Sequence, residues 1–326
     1  TLNRIYFGTS NTGGCGNVGA YTLGSAGAAD AMGPKTYLNS DGFFYSRVQV
    51  CKANGNVLED VRDYGLCKQY PNGNYKPTGV IQKYADQIRL AAFGYLMDQT
   101  ASYSSGRYGG VLRAPMKYVG QKKFDIYGRE EAGSNPKAEW DNNTGIFTAN
   151  PEGDPTFGVS GVINYLNQFG RTGPQPGRYK IYDPVGELYY QALRYMQGLP
   201  PTPDAITNLG TLEKTNAKYD GYPVYTDWTN IDPYGDGRSK NDNYACLKSN
   251  IVVIGDINTN DGNWRNVTPD PAKNVPNFQN FHTQVRTYES SSNGNGSAPS
   301  SSQTSQIMGY AYWAHTNDIR GTGWTD

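Results

Sequence analysis

Apolar residues along this chain fall into short runs separated by long polar stretches. Leu2–Phe7 reads as a short strand, followed by a Gly/Ala/Ser-rich loop to about Pro34. Phe43–Val50 (FFYSRVQV) is a stronger strand candidate that runs straight into Cys51, and the residues from there to Lys76 are polar and turn-rich. The period then changes. Ile81, Tyr84, Ala85 and Ile88 recur at three- and four-residue spacing, which predicts a helix over Pro77–Leu90 with the proline at its start. Ala91–Leu96 (AAFGYL) reads as a buried strand, and Gly110–Val119 as a strand pair punctuated by Gly109-Gly110. Asp125–Pro155 is irregular, and Gly161–Phe169 reads as a short helix.

Pro184–Gln197 has the firmest helical stripe, carried by Val185, Leu188, Tyr189, Ala192, Leu193 and Met196 and stopped by Gly198 and Pro200-Pro201. Ile251–Ile254 (IVVI) is a run of β-branched residues ending in Gly255-Asp256, the pattern of a central strand buried on both faces. Ser290–Ser305 is rich in Ser, Asn and Gly and reads as a mobile loop, after which Met308–Ala314 resumes order as a helix. Helices alternating with apolar strands predict an α/β core with long insertions, and no internal repeat occurs.

Composition narrows the class. Lys+Arg and Asp+Glu both total 29, so the net charge is zero, which argues against broad capture of nucleic acid or an anionic membrane. The chain holds 27 Tyr against 10 Phe, with 40 Gly and 19 Pro, a profile that suits a loop-rich extracellular protein. A soluble α+β domain with long loops fits the same numbers. No stretch is long and apolar enough to cross a bilayer. The chain opens on TLNRIYF as if inside folded sequence, which predicts a piece of a longer precursor with its export signal upstream.

None of the four cysteines (Cys15, Cys51, Cys67, Cys246) forms a CxxC pair. Two disulfides are expected, with reduced thiols as the alternative. Cys51 and Cys67 close a short loop, worth roughly 3 kcal/mol in the chain-entropy picture, and Cys15–Cys246 follows by elimination.

Candidate chemistry is sparse. His282 and His315 are the available imidazole bases, and neither sits in a nucleophile motif such as GxSxG. No HExxH, phosphate-binding loop or strand-linked GxGxxG occurs, so a binding protein is expected rather than an enzyme. Asp256 follows the IVVI run at the end where open α/β sheets place ligands. Asp183 precedes the helix at 184–197, and Asp261 lies just beyond Asp256. Carboxylates converging there suit Mg²⁺ or Ca²⁺; the alternatives are a helix cap for Asp183 and a turn for Asp256. The acidic loop Asp232–Asp242 reads as a plain turn, lacking the spacing of a calcium loop. Tyr222, Tyr225, Trp228 and Tyr234, with Tyr219, form an aromatic-rich stretch expected to meet a glycan or protein ligand.

Several segments in order resemble the amino-terminal region of the PilC/PilY family of type IV pilus assembly and tip-adhesin proteins. They are YSRVQVC (45–51), YKPTGVIQKYADQIRLAAFGYL (75–96), GGVLRAPMKYVG (109–120), AEWDNNTGIF (138–147), SGVINYLNQFG (160–170), YDPVGELYYQALRYMQG (182–198), YACLKSNIVVIGDINT (244–259) and YAYWAHTNDIR (310–320). The resemblance implies an α/β fold, a von Willebrand factor A-like (Rossmann-type) sandwich with long loop and β-hairpin insertions over 45–326, preceded by a poorly matched segment, 1–44. The family's metal-ion-dependent adhesion site opens with DxSxS, which does not occur here. Asp256 and Asp183 hold the comparable places. The resemblance also implies export through the periplasm to the pilus tip and a priming role in assembly. The partners it implies are minor pilins, a host or abiotic surface ligand, and a carboxyl-terminal β-propeller elsewhere in the full-length protein. A secreted carbohydrate-binding or carbohydrate-cleaving module is the competing expectation.

Overall fold

The computed structural model describes residues 2–5, 44–47, 51, 53–54, 57–58, 66–96, 110–125, 127–167, 185–216, 218–234, 247–254, 267–292 and 305–321. The chain divides into two compact units, Thr1–Val80 with Asn143–Gly145, and Ile81–Asn142 with Ile146–Asp326.

The first unit is built from antiparallel pairs. Strand β1 (Leu2–Ile5) pairs with β2 (Phe44–Arg47), and β3 (Ala53–Asn54) with β4 (Val57–Leu58). Strand β5 (Cys67–Gln69) turns back into β6 (Tyr75–Pro77), with Cys67 opposite Pro77. The side chain of Asn72 tightens that turn by accepting from the Asn74 amide at 3.0 Å. Cys51 and Cys67 form the expected disulfide. Cys15 and Cys246 lie outside the described residues.

Helix α1 (Val80–Lys83) is far shorter than the helix expected over Pro77–Leu90. The amides of Gln87 and Ile88 both return to the Tyr84 carbonyl and close a turn, and the chain is extended again at Leu90. Of the apolar stripe only Ala85 is buried, so there is little packing to hold a longer helix.

In the second unit β7 (Leu90–Tyr95) pairs antiparallel with β8 (Gly110–Lys117), with register shifts on either side of Ala92; Gly110–Val119 thus supplies one strand in place of the expected strand pair, because its partner is β7. Residues 110–115 of β8 are all buried. The hairpin of β9 (Lys122–Phe124) and β10 (Glu130–Ser134) follows, exposed along most of its length and laced by Lys122–Glu130 and Lys123–Glu131 ion pairs. Helix α2 (Val162–Asn167) occupies the place expected for a short helix.

Helix α3 (Val185–Met196) matches its predicted stripe, and it packs against β7 and β8 and against α6 (Ser305–Thr316). It ends where Gly198 takes a left-handed φ of 71° and the Leu199 amide reaches back to the Arg194 carbonyl. A four-residue helix, α4 (Pro203–Ile206), adds Ala205 to a core of Leu96, Val111, Phe157, Leu209 and Tyr219.

Helix α5 (Phe278–Ser292) was not anticipated, and it takes in the first residues of the expected mobile loop. Residues 293–304 lie outside the described ones. Phe278 anchors α5: its ring meets Tyr310 at 4.6 Å and Trp313 at 5.4 Å, both edge-on. Tyr190 of α3 stacks on Tyr310 at 5.0 Å, which ties three helices through one aromatic cluster.

Ile251–Ile254 departs most from expectation. In place of a central strand it forms no ladder among the described residues. Ile251 leans on the helical core, while Val252 and Ile254 are 82% and 68% exposed.

Candidate functional site

Two buried charged clusters among the described residues of the second unit are reached from β8. Arg113 is fully buried in an otherwise apolar run. Its guanidinium donates to the carbonyls of Tyr219 at 2.6 Å, Tyr95 at 2.5 Å, Lys218 at 3.1 Å and Tyr222 at 3.4 Å. Backbone dipoles thus replace the water that a buried cation loses, and the planar fork of arginine can reach several acceptors at once.

The Tyr165 ring lies 5.8 Å from the Arg113 Cζ. Burial pushes the Tyr165 hydroxyl up from its ordinary value, with Arg113 opposing. The backbone of Gly94 passes so close that an added Cβ would sit 1.6 Å from that hydroxyl. Tyr222 meets Tyr165 edge-on and donates to the Asn164 carbonyl at 2.9 Å. Arg113 therefore binds the loop 218–222 to the end of β7 and to α2.

The second cluster is a carboxylate–ammonium chain. Glu139 is fully buried and accepts from the amides of Val162 at 2.8 Å and Ile163 at 2.6 Å, so it caps α2 from outside the helix. The Lys117 ammonium lies 3.1 Å from Glu139, pairs also with Glu152, and donates to the Lys137 carbonyl at 3.0 Å. Lys137 reaches Glu152 at 2.8 Å. Burial would raise the Glu152 carboxyl, but Lys117 and Lys137 together outweigh it and hold it below its ordinary value.

A third pair closes the chain's last described turn. Arg320 grips Asp232 with 2.9 and 3.0 Å contacts, donates to the Met196 carbonyl at 2.8 Å, and lies 4.4 Å from the Tyr234 ring. Asp232 thus serves an ion pair and a turn, its carboxylate also accepting from the Tyr234 amide. These three clusters tie loops to strands and helices through buried hydrogen bonds and ion pairs, although the Arg113 Nε finds no acceptor among the described residues.

The expected site residues fare differently. Asp183, Asp256 and Asp261 lie outside the described residues. Among the described residues no three His, Cys, Asp or Glu side chains are grouped so as to hold a metal ion. The aromatic stretch is placed firmly, and in the core. Tyr222, Trp228 and Tyr234 are buried and Tyr225 half-buried, which corrects the expectation of exposed ligand-facing rings. Trp228 packs edge-on against Phe93 and Tyr195, so its area stabilises the fold. Burial pushes the Tyr195 hydroxyl to about 12 and raises that of Tyr225 also.

Arg113, Glu139 and Lys117 were not singled out from sequence. The signal for Arg113 was a lone charge inside an apolar strand (GVLRAPM). Glu139 gave none, because its helix partners begin 23 residues away. Among the described residues no helix is long and apolar enough to cross a membrane.

A family model described as "PilY1 homolog, second domain" matches residues 93–317, a span that holds Arg113, Lys117, Glu139, Glu152 and the 251–254 run. Two proteins of Xylella fastidiosa (strain Temecula1), each named a type IV pilus biogenesis factor PilY1 homolog, are similar to this chain. One is 36% identical over 244 residues, covering 70% of this chain and 18% of its own length. The other is 26% identical over 232 residues, covering 65% of this chain and 14% of its own. The chain therefore spans less than a fifth of the length of these curated relatives. No solved structure matches it.

Proposed function

The chain belongs to the PilY1 homolog family, and from that premise we propose that it is an adhesin and assembly domain of a type IV pilus tip. It primes assembly by binding minor pilins, presents a face to an external surface ligand, and acts by binding and not by catalysis. The observation that carries this reading is the family match over residues 93–317, a span that holds the Arg113 cluster and the Glu139–Lys117–Glu152 chain. The Cys51–Cys67 disulfide fits an oxidising compartment, as export through the periplasm to the cell surface requires. Loops tied down by buried charged side chains fit a recognition surface, since a pre-ordered surface loses less entropy on binding.

The test is capture of each minor pilin of the source organism on the immobilised chain, with and without chelator. In parallel, surface pilin is measured after in-frame deletion of the coding region. Capture together with loss of surface pili is expected. Capture abolished by chelator supports a Ca²⁺ or Mg²⁺ site, for which Asp183, Asp256 and Asp261 are the proposed ligands. Capture indifferent to chelator keeps the assembly role and removes the ion. No capture, with piliation unchanged, overturns the reading.

A further inference from the structure

Residues 247–254 are anchored and yet uncovered. The Ser249 hydroxyl lies 2.8 Å from that of Tyr234, and Ile251 packs on the cluster of Tyr190, Phe278, Tyr310 and Trp313. Beyond that anchor Val252, Val253 and Ile254 are 82%, 41% and 68% exposed. Exposure alternates along the run, higher at 252 and 254 and lower at 251 and 253, as in an extended segment with one face toward the protein. Four successive β-branched apolar residues have the composition of a strand buried on both faces, and four residues are enough to form one. No backbone ladder engages them among the described residues.

An exposed run of this composition is a template for strand addition, and left open it is an aggregation hazard. It is also no tail: it lies inside the 93–317 span that the family model matches. A segment interior to a domain needs a cover that is always present, and one supplied by the same polypeptide satisfies that. Polypeptide is plentiful, because the matched regions occupy only 18% and 14% of the curated relatives' length.

We infer that Ile251–Ile254 is a sheet strand whose ladder partner is an extended segment of the same full-length protein outside these 326 residues. That segment hydrogen-bonds to the open backbone, and the sheet it completes covers Val252 and Ile254. The exposed Lys248 and Asn250 stand at the start of the run, where it emerges from Ser249.

Hydrogen–deuterium exchange of the peptide 247–254 tests this in the complete gene product and in the 326-residue chain. Exchange slower by about 100-fold in the complete, monomeric protein is expected. Equal rates in the two overturn the inference. Protection that rises with concentration alongside a dimer in light scattering overturns it in favour of a second copy. Protection that appears only on adding purified pili overturns it in favour of a foreign strand. As a second handle, Val253→Pro in the complete protein removes one backbone donor, and is expected to restore fast exchange at 251–254 while 185–196 stays protected. The primary measurement involves neither pilin nor surface ligand, so its failure leaves the proposed role standing, and the converse holds.

Discussion

The interior around Arg113 and the run Val252–Ile254 depart from the ordinary partition of side chains in opposite directions. One places a full charge at zero exposure, and the other places aliphatic side chains in water. At Arg113 the cost of burial is met within this chain, by four carbonyls from β7 and the 218–222 loop. At Val252–Ile254 nothing among the described residues answers the exposed surface. A residue that looks misplaced is therefore informative chiefly through its partners: Arg113 has them, and the IVVI run points to a partner elsewhere.

The sharpest way to break this contrast is Arg113→Met. It keeps volume but strands several buried carbonyls, and a loss of about 3–5 kcal/mol in urea unfolding is expected. Arg113→Lys should recover only part of it, because a point ammonium cannot serve the whole fork. A loss below about 1 kcal/mol would mean that the carbonyls find water, and that the two regions are less different than their burial shows. Next comes Glu139→Ala, which uncaps α2 and leaves Lys117 with one carboxylate fewer. About 2–3 kcal/mol is expected, with Glu139→Gln intermediate.

Acid probes the same network more gently. The Glu152 carboxyl is held below its ordinary 4.5, so its contribution is complete above that pH and is lost as pH falls through the lowered value. Unfolding midpoints measured between pH 6 and pH 3 should fall with acid more steeply in the native chain than in Glu152→Gln. Identical slopes would remove Glu152 from the account. The smallest effect is expected at the other region. Val252→Ser and Ile254→Thr should change the stability of the 326-residue chain by no more than about 0.5 kcal/mol, since little is buried there to lose. A loss above about 1.5 kcal/mol would show that this chain covers the run itself.

Much of the second unit could be read from local pattern. Helix α3 lay open in its stripe from Val185 to Met196, and its end in Gly198. Strands β7 and β8 stood out as apolar runs, and α6 as a resumption of order after the Ser-rich stretch. Helix α1 was overestimated because periodicity at 81–88 says nothing of how little of that stripe is buried. Helix α5 was missed although Phe278, Phe281, His282 and Val285 carry a helical spacing, because Gln, Asn and Thr dilute it. The aromatic stretch shows the limit most plainly. Tyr222 and Trp228 read alike whether they face a ligand or a core, and only the packing of Phe93, Tyr165 and Tyr195 against them decides.

What the sequence by itself determined is what travels in short-range pattern: the stripe at 185–196, the Cys51–Cys67 loop and the ordered family segments. What only the tertiary structure decided is where charge and apolar surface end up. Arg113 meets the carbonyl of Tyr219 across 106 residues, and Arg320 reaches Asp232 across 88. Such pairings come from loop closure and packing, whose free energy depends on the whole assembled unit, so no window of neighbouring residues contains them.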